Sequence, residues 1–412
     1  MEDIKIDNGF GVVPQDWKPR TSTIKVVGVG GGGCNAVDYM YRQGVEGCEF
    51  LVCNTDSQAL GACLVPLKIQ LGEGLGAGTD PIAGRNAALE SEKALEDRLF
   101  CGQTDMLFIT AGMGGGTGTG AAPVIATMAK KKGILTVGVV TIPFRNDGNE
   151  AMTKALDGIM EMEKSVDSLL IIDNEKLYSQ FSDLKVHDAF PKADEVLCTA
   201  VSGILGIIKK KGHINVDFRD VKKMMTGSGM ALMGCGSGTG KNRVEEAVKG
   251  AFESPLLNNY DLKTARNVLL NITIGRNEQA PTMGEFSNID SLITNYIGSA
   301  NRFKKGIVYD DSPEFGDRID ITAIATGFKM DWEGLAGDNG NLIIVDPDFE
   351  YIPKAGDSAE AAANDNRSTK IGYNNLKPLS AAELCKGERP ALLLDDKADR
   401  SELENTPALR RK

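Results

Sequence analysis

Two histidines, His187 and His213, are all that the 412 residues contain, and they stand too far apart to form an H-x-x-x-H pair. The eight cysteines, Cys34, Cys48, Cys53, Cys63, Cys101, Cys198, Cys235 and Cys385, include no C-x-x-C pair. These absences argue against zinc, a histidine-centred catalytic site and a disulfide framework. The cysteines read as small buried hydrophobes in a reducing compartment and the histidines as structural. Positive charge is in deficit, with 46 Lys and Arg against 57 Asp and Glu and a formal net charge of −11. That balance argues against binding nucleic acid by broad phosphate neutralisation. No apolar run approaches the ~18–20 residues of a membrane span. The N-terminus lacks a charged-then-apolar signal pattern. The expected location is the cytoplasm, with any membrane attachment made through a partner.

Glycine is what the chain has in the places that matter. Ala111 to Gly120 read Ala-Gly-Met-Gly-Gly-Gly-Thr-Gly-Thr-Gly between the apolar run Met106 to Thr110 and a helical stretch, Ala121 to Lys131. Earlier, Gly28, Gly30, Gly31, Gly32 and Gly33 follow the apolar run Ile24 to Val27 and precede Asn35 to Arg42. Loops with so little side chain bring backbone N–H groups against an anion at a helix N-terminus, most often a phosphate. Two such cradles in one α/β domain point to a nucleotide.

Strand-like runs, Ile24–Val29, Phe50–Cys53, Met106–Ile109, Leu135–Thr141 and Leu169–Ile172, alternate with amphipathic stretches. One of these starts at Asp80-Pro81, an N-cap with proline in the first turn, and is expected to run through Ala87, Leu89 and Leu95 to Leu99. The pattern predicts a doubly wound parallel sheet. From Pro191 to Lys211, apolar residues recur at three- and four-residue steps, which predicts a long, mostly buried helix closed by Lys209, Lys210 and Lys211. Beyond it, strands at Asn267–Ile274 and Ile319–Thr326 around a helix near Ser291–Phe303 suggest a second, α+β domain. The resulting division is a flexible leader 1–22, a nucleotide-binding domain 23–190, a central helix 191–214, an α+β domain 215–332, a disordered linker 333–402 and a tail peptide 403–412. The tail, an apolar-then-basic end after a linker, reads either as a partner-binding peptide or as a solubilising terminus.

Three motifs remain open on the residues alone. Gly28-x-Gly30-x-x-Gly33 matches the dinucleotide fingerprint, with Asp56 near the place of a ribose-binding acid. Such an oxidoreductase has no need of the second loop, Gly114 to Gly120. Gly236 to Asn242 fails as a Walker loop at Cys235 and Asn242 and reads as a Gly-rich turn. Asn215-Val216-Asp217-Phe218-Arg219-Asp220 either polarises a water and organises a cation, or is a helix N-cap with an acid in the first turn.

Together these segments resemble the FtsZ family of bacterial, tubulin-like division GTPases, over roughly residues 20–330 plus the final peptide. Gly114 to Gly120 matches the family signature, and Ile24 to Val37, Asn54-Thr55-Asp56, Gly76-Ala77-Gly78 and Asn215 to Asp220 match in order. The resemblance implies GTP and Mg²⁺, held by Gly31, Gly32, Gly33, Cys34 and Asn35, by Gly114, Gly115, Gly116, Thr117 and Gly118 at the phosphates, and by Gly76, Ala77, Gly78 and Thr79 near the γ-phosphate. Phe190 and Asp194 would face the guanine. Asn215, Asp217 and Asp220 would be catalytic in the pocket of the next subunit, so that GTP is hydrolysed only within a head-to-tail homopolymer, the scaffold of the division ring. Two departures stand out: Asp147 replaces the family's usual Glu, and Ala151 its nucleotide-touching Arg. An assembling relative with little hydrolysis is the alternative that these departures keep open. Pro407, Ala408, Leu409, Arg410 and Arg411 resemble the family's tail peptide, which implies binding to membrane-tethering division proteins such as FtsA at the division site.

Overall fold

The computed structural model describes residues 5–6, 12–13, 22–175, 186–209, 212–214, 217–253, 264–298, 302–310, 312 and 315–328. Asn215, Cys385, the linker and tail expected at 333–412 and most of the leader lie outside the described residues, as do the side chains of His187, Phe190 and His213. By contacts the chain divides into one unit of residues 1–144 and 154–329 and a second of residues 145–153 and 330–412. In the second unit the described part is a single 3-10 turn, Arg145–Asp147, and the start of a helix.

A two-stranded pair, β1 (Lys5–Ile6) and β2 (Val12–Val13), precedes the main body. Then follow β3 (Ile24–Val29), α1 (Gly30–Arg42), β4 (Glu49–Asn54), α2 (Ser57–Ala62), β5 (Leu67–Gln70), α3 (Pro81–Glu90), α4 (Glu92–Leu99), β6 (Met106–Gly112), α5 (Thr117–Lys131), β7 (Leu135–Ile142), α6 (Asn149–Ser165) and β8 (Ser168–Asp173). The second half comprises α7 (Val186–Lys209), β9 (Gly212–Ile214), α8 (Phe218–Met225), β10 (Gly229–Gly238), α9 (Arg243–Phe252), β11 (Asn267–Ile274), α10 (Met283–Ile297), β12 (Arg302–Tyr309) and β13 (Ile319–Phe328).

All strands from β3 on lie in one 11-stranded sheet, in the order β5-β4-β3-β6-β7-β8-β10-β13-β11-β12-β9. The run from β5 to β10 is parallel, whereas β13 is antiparallel to both β10 and β11. Every residue of β3 and of β7 is buried, as expected of strands covered by helices on both faces. Helix α7 contributes Leu197, Val201, Ile204 and Leu205 to a core that also holds Val26 and Val137 on one side and Ala231, Leu269 and Ile324 on the other. The long helix is therefore the shared filling of both halves.

The expected elements differ from the observed ones where a local device intervenes. The helix expected through to Leu99 is two helices, because Ser91 leaves helical geometry (ψ 11°) and its Oγ accepts a hydrogen bond from Gly72 N at 3.0 Å. The helix expected near Ser291–Phe303 starts at Met283, fixed by a Thr282–Glu285 capping box, and stops at Gly298 with φ 59°, so Phe303 lies in strand β12. Gly236 and Gly238 belong to β10 and are not a turn. A Cβ on either would collide with the backbone of α9, at Ala247 O and Arg243 O. Of the cysteines, Cys34, Cys53 and Cys63 are buried, but Cys101 is exposed. Among the described residues, no helix is long and apolar enough to cross a membrane.

Candidate functional site

In the parallel part of the sheet β3 is the first strand in sequence, and its neighbours β4 and β6 lead the chain away in opposite directions. A crevice forms at such a reversal outside the carboxyl ends of the strands. Both glycine segments fall there, after β3 and after β6. Helix α1 begins at Gly30 and α5 at Thr117, so each segment supplies the first turn of a helix or the residues just before it. Neither terminus has a side-chain cap or an acidic residue in its first turn, and both leave free N–H groups and positive dipole ends facing the crevice.

Close backbone packing locks the two turns together. A Cβ on Gly28 would meet Gly33 O, one on Gly33 would meet Thr110 O, and one on Gly118 would meet Gly112 O. Gly30, at φ 73°, sits so near α5 that a Cβ would lie 2.8 Å from Gly118 N. Gly31 and Gly115 are different. Both are exposed and a Cβ on either would touch nothing within 4 Å. The fold does not require glycine at these two positions, and their bare backbone is left for something outside the chain.

A third loop closes the crevice. Gly76 N donates to Thr55 O at 2.9 Å, Ser57 N to Gly74 O at 3.0 Å and Asp80 N to Ala77 O at 2.9 Å. A Cβ on Gly116 would lie 2.9 Å from both Ala77 Cβ and Asp80 N, so the Gly76–Thr79 segment abuts the Gly114–Gly118 turn. Thr79 is held at φ 64°, the one non-glycine residue with positive φ among the described residues, and its carbonyl accepts from Lys154 Nζ at 3.0 Å. Backbone strain of this kind costs about 1–3 kcal/mol and concentrates at ligand clamps. The Thr55 and Thr117 hydroxyls share a hydrogen bond of 2.6 Å, and Thr119 Oγ accepts from Gly114 N at 2.9 Å. Cys34 is buried, with its thiol directed to Gly28 O and Cys53 O and its pKa pushed up to about 12 by burial. It packs the turn and is not a nucleophile. Asp56 accepts from Gln58 N at 2.8 Å and Ala59 N at 3.3 Å as the cap of α2, a structural task that the dinucleotide reading had not given it.

On the flank of α1 lies Asp194, from α7. Burial raises its carboxyl to about 6, and the negative charge of Asp38 adds to the effect. No hydrogen-bond donor reaches Asp194 among the described residues, whereas Asp38 is satisfied by Leu64 N at 2.6 Å and Arg42 Nε at 2.7 Å. Asp147 lies in the second unit, in the 3-10 turn Arg145–Asp147.

Asp217 and Asp220 are not at this crevice. Asp217 caps α8, its Oδ1 accepting from Asp220 N at 2.8 Å, and Asp220 pairs with Lys304 Nζ of β12 at 3.1 Å. Helix α8 touches the other end of the parallel strands. Lys222 Nζ donates to Gly133 O at 3.3 Å, and Ser228 N to Asp167 O at 2.8 Å, both just before β7 and β8. The glycine loop touches β7 at its far end, where Met113 N donates to Thr141 O at 2.9 Å. At about 3.3 Å per residue, these two contact points lie about 25 Å apart along β7, with the acids on the side of the first and the glycines on the side of the second. No single chain can apply both to one bound molecule.

No group of three or more His, Cys, Asp or Glu that could hold a metal occurs among the described residues. Mg²⁺ that accompanies a phosphate ligand is commonly held through the phosphates and water, and the hydrogen-bonded Thr55 and Thr117 hydroxyls stand at the start of α5 beside the glycine turn. The uncapped helix ends and the open backbone at Gly31 and Gly115 fit an anionic nucleotide.

Comparison with known proteins bears on the same regions. Residues 23–182 match the Tubulin/FtsZ family, GTPase domain, and residues 229–329 match the FtsZ family, C-terminal domain. The chain is 43% identical over 364 residues to the cell division protein FtsZ of Pseudomonas putida, covering 87% of this chain and 88% of that one. It is 47% identical over 363 residues to that of Pseudomonas aeruginosa, with the same coverage. Among solved structures, an empty FtsZ dimer from M. jannaschii superposes with a TM-score of 0.68 at 36% identity, covering 75% of this chain and 89% of that one. A GTPγS-bound protofilament of CetZ2 from Haloferax volcanii superposes at 0.63 and 19% identity over 76% and 96% of the two chains, a likeness of fold.

Proposed function

The chain belongs to the tubulin/FtsZ family, and on that premise we propose how its residues divide the work of a GTPase that acts as a polymer. It is a tubulin-like cell-division GTPase of the FtsZ type, which polymerises head to tail and hydrolyses GTP at subunit contacts. One observation carries the division of labour: the glycine crevice and the acids Asp217 and Asp220 occupy opposite ends of the same parallel strands. A nucleotide in the crevice of one subunit meets acids only when the next subunit's α8 end docks on it. Such a contact is heterologous and does not close, so it repeats as a filament.

In this reading the N–H groups of Gly31, Gly32, Gly33 and of Gly115 to Gly118 hold the phosphates, and Gly114, its N–H taken by Thr119 Oγ, lines the site. Gly76, Ala77, Gly78 and Thr79 lie over the γ-phosphate, and Asn35 borders the site. Phe190 and Asp194 take the guanine, the ionised carboxylate accepting from the base edge. Asp147 stands in the family's place for a nucleotide contact. Asn215, Asp217 and Asp220 of the neighbour orient the attacking water, with Mg²⁺ supplying charge neutralisation at the phosphates when bound. Phosphoryl transfer needs mainly positioning and charge stabilisation, which suits a site built of backbone donors and carboxylates. The tail residues Pro407, Ala408, Leu409, Arg410 and Arg411 recruit membrane-tethering division proteins such as FtsA, and so bring the polymer to the division site. Removal of residues 403–412 is expected to spare polymerisation and abolish that binding in a pull-down with the tethering protein.

Phosphate release measured with GTP and Mg²⁺ across a protein concentration series tests the shared site. A rate that turns on above a threshold concentration supports it. A rate per molecule that does not vary with concentration means that each subunit carries a complete site, and removes Asp217 and Asp220 from the mechanism.

Two further outcomes are expected. Gly115→Asp places a carboxylate among the phosphate donors without a steric penalty, so its melting temperature stays within a few degrees of the parent's. Its GTP binding, followed by nucleotide retention, falls by at least about 100-fold from like-charge repulsion in a partly desolvated cradle. Asp194 gives a pH signature. Because its carboxyl titrates at about 6 and the ionised form binds guanine, GTP affinity falls about fourfold between pH 7.5 and 5.5, a profile that Asp194→Asn flattens. The effect on stability has the opposite sign. A raised carboxyl pKa means that the folded chain binds the proton more tightly than the unfolded chain, so this group's contribution to stability grows as pH falls through about 6 and is smallest at neutral pH.

A further inference from the structure

Between the two acids stands Arg219, the second residue of α8. The first turn of a helix favours anions, so a cation there is destabilising. Lys223, four residues on, is exposed on the same side, and like charges at that spacing repel. Among the described residues no contact offsets these costs. Arg219 is exposed, and its two acidic neighbours are engaged elsewhere, Asp217 with the backbone N–H of Asp220 and Asp220 with Lys304. Among the described residues the guanidinium has no counter-ion. The crevice at the other end of the strands has the opposite deficit. In that reading its phosphate donors are backbone N–H groups, and the Lys154 ammonium beside the Gly76–Thr79 loop is turned onto Thr79 O.

We infer that Arg219 is a catalytic residue acting in trans, its guanidinium contacting the γ-phosphate oxygens of GTP held by the adjoining subunit. The inference rests on the shared-site reading above. As the water oxygen bonds to the γ-phosphorus, the bond to the β–γ bridging oxygen breaks and GDP departs with its electron pair. One water proton stays on the released phosphate and the other passes to solvent. Arg219 takes no proton. It stabilises the charge spread over the γ-oxygens, for which the planar fork of arginine is suited, while Asp217 and Asp220 accept from the water. The Lys304 pair keeps Asp220 from collapsing onto Arg219 and so leaves the guanidinium available.

The test uses the full chain with GTP and Mg²⁺ above the assembly threshold, with phosphate release normalised to polymer mass from pelleting. Arg219→Ala is expected to lower turnover per polymerised subunit at least about 100-fold, with GTP binding intact and the melting temperature unchanged or slightly raised. Arg219→Lys is expected to recover part of the loss. A merely structural Arg219 would instead lower the melting temperature and leave turnover per polymerised subunit alone. Turnover at the parental rate in Arg219→Ala filaments overturns the inference, as does weaker assembly with unchanged turnover in the polymer that forms. Asp220→Ala measured in parallel separates the two levels. If it too hydrolyses normally, the shared site itself is wrong; if it is silent while Arg219→Ala is normal, only the role of Arg219 falls.

Discussion

Asp220→Ala subunits are expected to bind GTP and pellet as filaments, yet to release phosphate at least about 100-fold more slowly, the usual cost of removing a positioned acid or base. Asp220 is a cleaner target than Asp217. The latter caps α8, so its removal adds about 1 kcal/mol of helix destabilisation to any chemical effect. Asp220 gives up only the half-exposed pair with Lys304, worth little in water. The decisive form of the experiment mixes two silent variants. Gly115→Asp subunits keep intact acids but, at GTP concentrations below their weakened affinity, hold little nucleotide, and Asp220→Ala subunits hold nucleotide but lack the acid. Where the α8 end of the first meets the crevice of the second, a complete site is restored, and the mixture hydrolyses GTP although neither component does. Co-pelleting without recovered hydrolysis would rule out a site shared between subunits.

The second large effect is on stability. Arg243→Ala is expected to destabilise the chain by about 3 kcal/mol, the lower end for breaking a buried ion pair, read as a fall in melting temperature of roughly 6–12 °C. Arg243, only 8% exposed as a residue, ties four segments together through its guanidinium. It donates to Glu285 Oε1 at 2.8 Å and Oε2 at 3.0 Å, to Gln279 O at 2.7 Å and to Asp317 O at 2.8 Å. Glu285 in turn closes the capping box of α10 by accepting from Thr282 N at 2.8 Å. The lower end of the range applies because the Glu285 side chain is 30% exposed and keeps water as an alternative partner. The Arg243 guanidinium, followed by the Thr282 N–H, holds the Glu285 carboxyl at about 2, against an ordinary 4.5. A depressed carboxylate contributes stability above its unfolded value and loses it as pH falls toward the folded one. The parent is therefore expected to lose stability from pH 4.5 downward, and Arg243→Ala to show a shallower decline over the same window.

The parallel half of the fold was legible because buried strands announce themselves: β3 was read residue for residue from its apolar run. Strand β10 escaped because Gly236 and Gly238 imitate a turn, although they let α9 pack flush on the sheet. Strand β12 escaped because Arg302, Lys304 and Lys305 hide the alternation. Lys304 finds its partner, Asp220, 84 residues earlier, and Lys305 pairs with Asp290 of the preceding helix. At the crevice, the glycine count pointed to a cradle, but only the backbone contacts separate glycines that pack, such as Gly33 and Gly118, from those left open, Gly31 and Gly115. The separation of acids and glycines by the length of β7, about 25 Å from strand rise, depends on which end of β7 each segment touches. No local pattern records that, and it came to the sequence reading through family resemblance alone.

With the site shared as proposed, the two half-sites at opposite ends of β7 also impose an arithmetic on the polymer. A filament always has one fewer complete site than it has subunits, because one terminal subunit offers a nucleotide with no acids and the other offers acids with no nucleotide. Severing a filament therefore abolishes one working site, and annealing two fragments creates one. Turnover per subunit in the shortest oligomers should lag behind that in long filaments, and any factor that only cuts or only joins them changes catalytic output without touching a residue of the site.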